Sequence, residues 1–520
     1  MVRNENWRRH WASRIRQLRC GGAKGNQRRR PLFVETMEDR RLLTATPQGN
    51  DFRVNQVVSG TQQLSGGSDA VGIDAAGNFI VAYTGPGANR TSEIFAQRFA
   101  SGGSPLGEQI RVNQYVSGSQ DLAAVGVRPD GQFIVVWSGK GASDSAGIFF
   151  RQFAADGTPL GSDQRVNVTT KDGQSQPAIA IGVDGRFVVA WSGRGTGDTN
   201  GVFLRRFNAD GTPGGGEVRV NKTTSATQNQ PDIALAADGS LAVSWSGKGS
   251  GDSQGVFLQR FAADGSRIGD ETRVNKTTAG LQERPDLVLD EGGGVIVVWN
   301  GLGPGDVAGI FSRRQTSDGT FGSESRVNTG TLGLQQNAAI AAVGDGSYFV
   351  AWSGEHFDHG RAKGWDILSQ QIDVTGQRLL TELVVNTSTK GFQNSPGVGS
   401  NRAGNVVAVW SGQGQGDSAG VFARRFSAPV DHDGPVVQAS LVNDTGASNS
   451  DGVTSDPTIS GFVHDQSRVT KLEATFGAAT GPLADVSDLL QSDGRFSFSP
   501  AQLDALAGAP LTIGSHVLQL

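Results

Sequence analysis

Five aspartates recur in one setting. Asp144, Asp198, Asp252, Asp306 and Asp417 each end a Gly-rich loop, as in Gly193-Arg194-Gly195-Thr196-Gly197-Asp198 and Gly247-Lys248-Gly249-Ser250-Gly251-Asp252. A carboxylate among loop carbonyls is the ligand type calcium takes, with about 6–8 oxygens per ion. One acid per loop supplies little of that shell, and Asp also braces turns by accepting from nearby backbone N–H groups. The turn is the plainer reading; calcium is the one cofactor these loops suggest. A second constellation stands between Trp352 and Ile367, where one loop is four residues longer and reads Glu355-His356-Phe357-Asp358-His359. Imidazole and carboxylate both ligate transition metals, so Glu355, His356, Asp358 and His359 form the candidate ligand-binding loop. A solvated insertion would have the same composition.

Other chemistry is hard to assemble. The glycines are not followed by the Lys-Ser/Thr pair of a phosphate loop. No Ser/His/Asp set arises from recurring positions, and no two carboxylates stand out as acid and base, so no catalytic residue is expected. The Asn-x-Ser/Thr triplets at Asn167, Asn221 and Asn275 belong to a repeat landmark and read as structural.

The elements that must hold these loops repeat about every 54 residues. Each copy carries a Val-Asn pair, at Asn55, Asn113, Asn167, Asn221, Asn275, Asn328 and Asn386. Seven residues later stands Gln62, Gln120, Gln174, Gln228, Gln282, Gln335 or Gln393. Seventeen residues further on come Trp137, Trp191, Trp245, Trp299, Trp352 and Trp410, with Tyr83 in the first copy after a short insertion. Such a period signals a repeat architecture. Within one copy, Pro177–Ile181, Phe187–Trp191, Val202–Phe207 and Val218–Val220 read as strands, with Asp184-Gly185 and Asp210-Gly211 as hairpin turns. Four strands repeated seven times predict an all-β, seven-bladed β-propeller. The tryptophans are expected in its core.

The longest link in each copy runs from the Asn to the next proline, which puts the Pro strand innermost and the Val-Asn strand outermost. The array opens with an outer strand at Arg53-Val54-Asn55 and stops at the third strand Val421–Phe426. Residues near 52–56 are therefore expected to bond to residues near 421–426, so that the N-terminal strand closes the propeller. Open ends would leave unpaired strand edges that favour aggregation. Hairpin order places the Asp-Gly turns on one rim. The Asn-to-Pro links and Gly-rich loops share the other, which is polar.

Residues 1–44 hold 12 Lys/Arg against 4 Asp/Glu, a net of +8, leaving −12 of the overall −4 for residues 45–520. An acidic body argues against nucleic acid as a partner. The single cysteine, Cys20, excludes an internal disulfide, and no apolar run approaches the ~18 residues of a membrane span. Trp7, Trp11, Ile15 and Leu18 share one helical face among arginines, a basic amphipathic pattern suited to an anionic membrane surface during export. The apolar stretch of an ordinary signal peptide is missing. Residues 1–50 are read as a basic, mostly disordered targeting segment and 51–428 as the propeller.

Within that leader, Phe33-Val34-Glu35-Thr36-Met37-Glu38-Asp39-Arg40-Arg41-Leu42-Leu43 resembles the LEPR-xLL motif at the head of large surface proteins of planctomycete-type bacteria. Glu38, Arg40, Leu42 and Leu43 match, and Asp39 stands where the motif has proline. The resemblance implies export to the cell envelope or beyond. After the linker 429–434, residues 435–520 show short alternating strands with turn signals. The stretch from Asp444-Thr445-Gly446 to Asp456-Pro457-Thr458 resembles bacterial Ig-like modules of large adhesins, some of them stiffened by calcium. That likeness implies a β-sandwich and makes Asp444, Asp451 and Asp456 candidate calcium ligands beside their turn-forming role. The module ends in Gly514–Leu520, one strand short, so it is expected to be incomplete or part of a longer chain.

The reading that joins these features is a monomeric, exported, non-catalytic surface scaffold for adhesion, its partner an extracellular glycan or surface protein. The alternative is an extracellular carbohydrate-active enzyme with its site on the polar rim. Two or three carboxylates converging in the central opening would favour the enzyme. A rim of Asn, Gln and Gly would favour binding. A rigid spacer in a wall protein is the third reading.

Overall fold

The computed structural model describes residues 45–87, 91–344, 346–358, 361–389, 391–427, 436–443, 456–464, 472–476, 484–491, 495–510 and 518–519. Between Thr46 and Ser427 these residues form seven four-stranded antiparallel sheets. In the third blade the strands Gln174–Ile181, Phe187–Gly195, Asp198–Phe207 and Val218–Arg219 follow one another from the axis outward. Phe187 to Ser192 are all buried, because each middle strand is covered on both faces by neighbouring sheets. At the Asp184-Gly185 turn, Gly185 takes φ 82, a region open to glycine without steric cost.

The recurring residues form one buried network per blade. All six tryptophans are at most 1% exposed. Trp137, Trp245, Trp299 and Trp352 donate Nε1–H to the landmark Gln Oε1 over 2.8–3.1 Å. That glutamine fills the space of a missing side chain: a Cβ on Gly247 would lie 2.1 Å from Gln228 Oε1. Each landmark Asn, in turn, accepts at Oδ1 from a third-strand backbone N–H. Val202 N to Asn221 at 2.8 Å is typical. Buried polar groups persist because they are paired, and the indoles supply the apolar bulk; emptying one such site costs about 3–5 kcal/mol.

Neighbouring blades are joined by a second set of bonds. Glu217, Glu271 and Glu324, on or just before the outer strands, each accept from two backbone N–H groups of the preceding blade's link, for example Lys222 N and Thr223 N to Glu271. Arg205 and Arg313 reach back to the carbonyls of Val166 and Val274 at 2.8 and 2.7 Å.

The seventh sheet runs Gln393–Ser400, Asn405–Gly414, Asp417–Ser427 and then Thr46–Arg53. Phe52 faces Ala423, Arg53 faces Phe422, and Val54 N donates to Val421 O at 2.7 Å. The strand begins earlier than residue 51: Thr46, Pro47 and Gln48 pair with Ser427, Phe426 and Arg425. Residues 46–50 thus belong to the sheet and not to the basic leader. A register shift between Gln48 and Phe52 lets the longer strand follow its partner.

In the C-terminal region, Val436–Asn443, Asp456–His464 and Arg495–Phe498 form one three-stranded sheet; Ala484–Asp485, Glu473–Phe476 and Leu518–Gln519 form another. Leu472, Ala474, Phe496, Phe498 and Leu503 cluster in the core there. Leu503 lies on a helix, Pro500–Ala507, in a region whose alternation suggests only strands. The helix has ordinary start and stop signals: Ser499 as N-cap with Gln502 accepting from its N–H at 2.8 Å, Pro500 in the first turn, and Gly508 at φ 76 beyond the end.

Candidate functional site

The recurring aspartates are drawn into the fold. Asp144, Asp198, Asp252, Asp306 and Asp417 are each at most 9% exposed. In every case Oδ1 accepts from the backbone N–H two residues on, and Oδ2 accepts from a landmark Asn Nδ2 at 2.7 Å. They occupy separate blades and are not brought together. In the sixth blade, whose loop is longer, Asp366 takes the same role toward Asn386 at 2.8 Å. Glu355 accepts from Leu334 N at 3.0 Å. His356 and Asp358 lie on the strand Tyr348–Asp358, and His359 lies outside the described residues. Asp456 accepts from Thr458 N and Oγ1 at 3.1 and 2.6 Å; Asp444 and Asp451 lie outside the described residues. Among the described residues no three His, Cys, Asp or Glu side chains are grouped so as to hold a metal ion.

Carboxyls do converge elsewhere. A cavity of about 260 Å³ opens at the axis, at the ends of the inner strands nearest the Gly-rich loops. Asp69, Asp232 and Asp286 line it, with Arg284, Gln176 and Gln230. Asp232 and Asp286 occupy one position in adjacent blades, where the other inner strands carry Ala124, Ala178, Ala339 and Gly397. No two carboxylates stand out as acid and base in the sequence, yet the fold brings Asp232 and Asp286 to one cavity. Asp69 comes from the insertion in the first copy: the short 3-10 turn Ser68–Ala70 crosses the opening, and Asp69 Oδ2 accepts from Ile179 N of the third blade at 2.8 Å.

The backbone at this ring is unusual. Leu122, Gln176, Gln230, Arg284, Asn337 and Ser395 all adopt φ between 50° and 59°. Non-glycine residues rarely take this left-handed region. Each falls within a register shift of its inner strand, and such bulges re-aim side chains and cluster beside functional sites. The landmarks repeat nearly unchanged, but these six positions differ in size and charge. On the opposite rim the turn of the seventh blade leans across the axis, and Arg402 Nη2 donates to Leu289 O of the fifth blade at 2.8 Å.

Electrostatics at the cavity follow from burial. Asp232 and Asp286 are 8% and 2% exposed. They hydrogen-bond to each other, which requires a proton on one partner. The Asp232 carboxyl is held well above the ordinary range, first by burial and then by the charges of Asp286 and Asp69. Burial pushes Asp69, half-buried at the cavity wall, up to about 8; the Ile179 N–H pulls the other way and the Asp286 charge adds to the rise. The signal for the pair was present in sequence, as Pro231-Asp232 and Pro285-Asp286 against Pro177-Ala178 and Pro396-Gly397. No pattern announced Asp69, since its place depends on the path of a non-repeating insertion.

Residues 28–47 match the family described as Planctomycete extracellular. No curated protein matches the chain in sequence. Several solved structures are similar in shape. One is a protein of unknown function from Dyadobacter fermentans, at 11% identity and TM-score 0.45 over 73% of this chain and 98% of that one. A second is polysaccharide lyase Uly1, at 11% identity and TM-score 0.46 over 73% and 92%. A third is the α-L-arabinanase of Penicillium chrysogenum with arabinobiose, at 12% identity and TM-score 0.41 over 64% and 99%. None of these likenesses bears on the chemistry of the cavity.

Proposed function

We propose that the chain is an exported extracellular protein whose propeller carries an acid–base site for the end of a glycan in its central cavity. The observation that carries this reading is the placement of Asp232 and Asp286 where the other blades have Ala or Gly, with Asp69 brought to the same cavity from another blade. Buried carboxyls cost stability, and titratable groups shifted in a cavity are the usual mark of a functional site. At 260 Å³ the space is below the ~300–1,000 Å³ that encloses drug-sized ligands and suits one ring-sized polar group. Asp232 and Asp286 bond to each other instead of standing apart on either side of a substrate bond, the arrangement of glycosidase carboxyl pairs. Asp232 and Asp286 therefore act as one proton-holding unit, and Asp69, protonated at neutral pH, is the proton donor. Arg284, Gln176 and Gln230 orient the substrate hydroxyls.

The match at residues 28–47 supports export. In this reading the N-terminal strand latches the ring and the C-terminal sheets form an Ig-like spacer. Non-catalytic glycan recognition is the second reading, favoured by the amide side chains among the cavity residues. A glycan array run beside a screen for glycan cleavage, on the native chain and on Asp69→Asn, Asp232→Asn and Asp286→Asn, tests both. Cleavage lost in the variants supports the enzyme; binding without cleavage supports recognition; neither binding nor cleavage by the native chain removes the proposal.

A further inference from the structure

A second cavity, of about 500 Å³, lies on the second blade away from the axis. Its origin is legible by comparing blades. In the third, fourth and fifth blades a Thr–Glu clasp spans this place: Thr169, Thr223 and Thr277 donate Oγ1–H to Glu217, Glu271 and Glu324 over 2.7–3.1 Å. Glu217 Oε1 lies so near the loop that a Cβ on Gly195 would meet it at 2.5 Å. In the second blade the acid is Asp163, one methylene shorter, and the threonine is Tyr115. Asp163 Oδ2 still accepts from Gln114 N and Tyr115 N at 2.8 and 3.1 Å. Its Oδ1 is buried with no hydrogen-bond partner. The space that the longer acid and its hydroxyl partner occupy elsewhere is open, and Phe149 lies at the cavity wall.

What surrounds it defines a ligand. Tyr115 offers an aromatic body with a polar tip. Asp163 Oδ1 is an acceptor needing a donor, a role sugar hydroxyls fill. Lys140 and Arg165 outnumber Asp163, giving a local cationic excess on an acidic protein. Arg165 keeps its Nε bond to Asn167 O at 3.0 Å, but its Nη1 lies 3.3 Å from Ser143 O, compared with 2.7 Å for Arg219 to Gly197 and Arg273 to Gly251. We propose that this cavity is a second binding site, for a pyranose unit bearing a carboxylate within an acidic polysaccharide. The ring packs on Tyr115, hydroxyls donate to Asp163, and the carboxylate meets Lys140 and Arg165.

The other blades supply a repair that tests the site without harming the fold. Tyr115→Thr with Asp163→Glu rebuilds the clasp of the third to fifth blades, removing the aromatic body and pairing the acid's second oxygen with a hydroxyl. Polygalacturonate is the probe, neutral dextran the control, and binding is read by affinity electrophoresis and calorimetry. The native chain is expected to bind polygalacturonate at least tenfold more tightly than dextran. The double variant should lose that binding with no fall in melting temperature, and Lys140→Gln should weaken it severalfold. Lys248→Gln, at the equivalent position of the fourth blade, should leave it unchanged. Polygalacturonate binding that survives the double variant, a preference for dextran, or no binding by the native chain overturns the proposal.

Discussion

Asn55 and Asp417 lie 362 residues apart in sequence, yet the Asn55 amide donates to the Asp417 carboxylate at 2.7 Å in a buried pair. Asn55 Oδ1 also accepts from Val421 N at 2.8 Å. Five other blades make the Asn–Asp bond between residues only 20–23 positions apart. The seventh makes it across the termini.

That difference gives the first prediction. Asn55→Ala strands a buried N–H and a buried carboxylate, each worth about 1–3 kcal/mol, and should lower stability by roughly 2–6 kcal/mol in denaturant unfolding. Asn221→Ala, within a continuous stretch, should cost about the same. Deleting residues 1–56 should go further and expose the third-strand edge at Val421–Phe426, giving soluble aggregates on size exclusion. A deletion that stays monomeric with unchanged unfolding would show that the strand Thr46–Arg53 is dispensable.

Chelation gives the second. The loop aspartates spend both carboxylate oxygens on Asn and backbone donors, so the melting temperature of the propeller should be the same in calcium and in EDTA. A shift of several degrees that persists in a chain ending at residue 427 would place a cation among these loops.

The third concerns pH. Asp69 titrates near 8 in the folded chain and near 3.9 when unfolded. Between those values the folded state holds more protons, so this group's contribution to stability is fully present below about pH 4 and is lost as pH rises toward 8. The slope is at most about 1.4 kcal/mol per pH unit. Asp69→Asn should flatten the profile in this window; an unchanged slope would mean Asp69 ionises normally.

Much of this fold could be read from repeated letters. Trp245, Gln228 and Asn221 recur because each blade solves the same burial problem: the Asn bond to the third strand is made in all seven blades and the indole–amide bond in four. The site was harder to read because function lies in departures from the repeat. Asp232 and Asp286 are departures at one position, visible once the inner strands are aligned. Asp69 and Arg402 owe their places to non-repeating backbone that crosses the axis, and sequence spacing says nothing about such paths. The helix Pro500–Ala507 was signalled by Ser499, Pro500 and Gly508, yet a short apolar pattern between strand-like segments masked it.

The most direct test of the central cavity is the pair Asp232→Asn and Asp286→Asn, measured for stability and for glycan binding and cleavage together. Asparagine at 232 still accepts from Leu287 N, a bond of 2.7 Å in the native chain, and needs no proton to bond its neighbour. Acids kept for function should be replaceable at no cost in melting temperature while binding or turnover falls at least a hundredfold. A melting temperature lowered by several degrees, with glycan activity intact, would show that the pair only holds blades together.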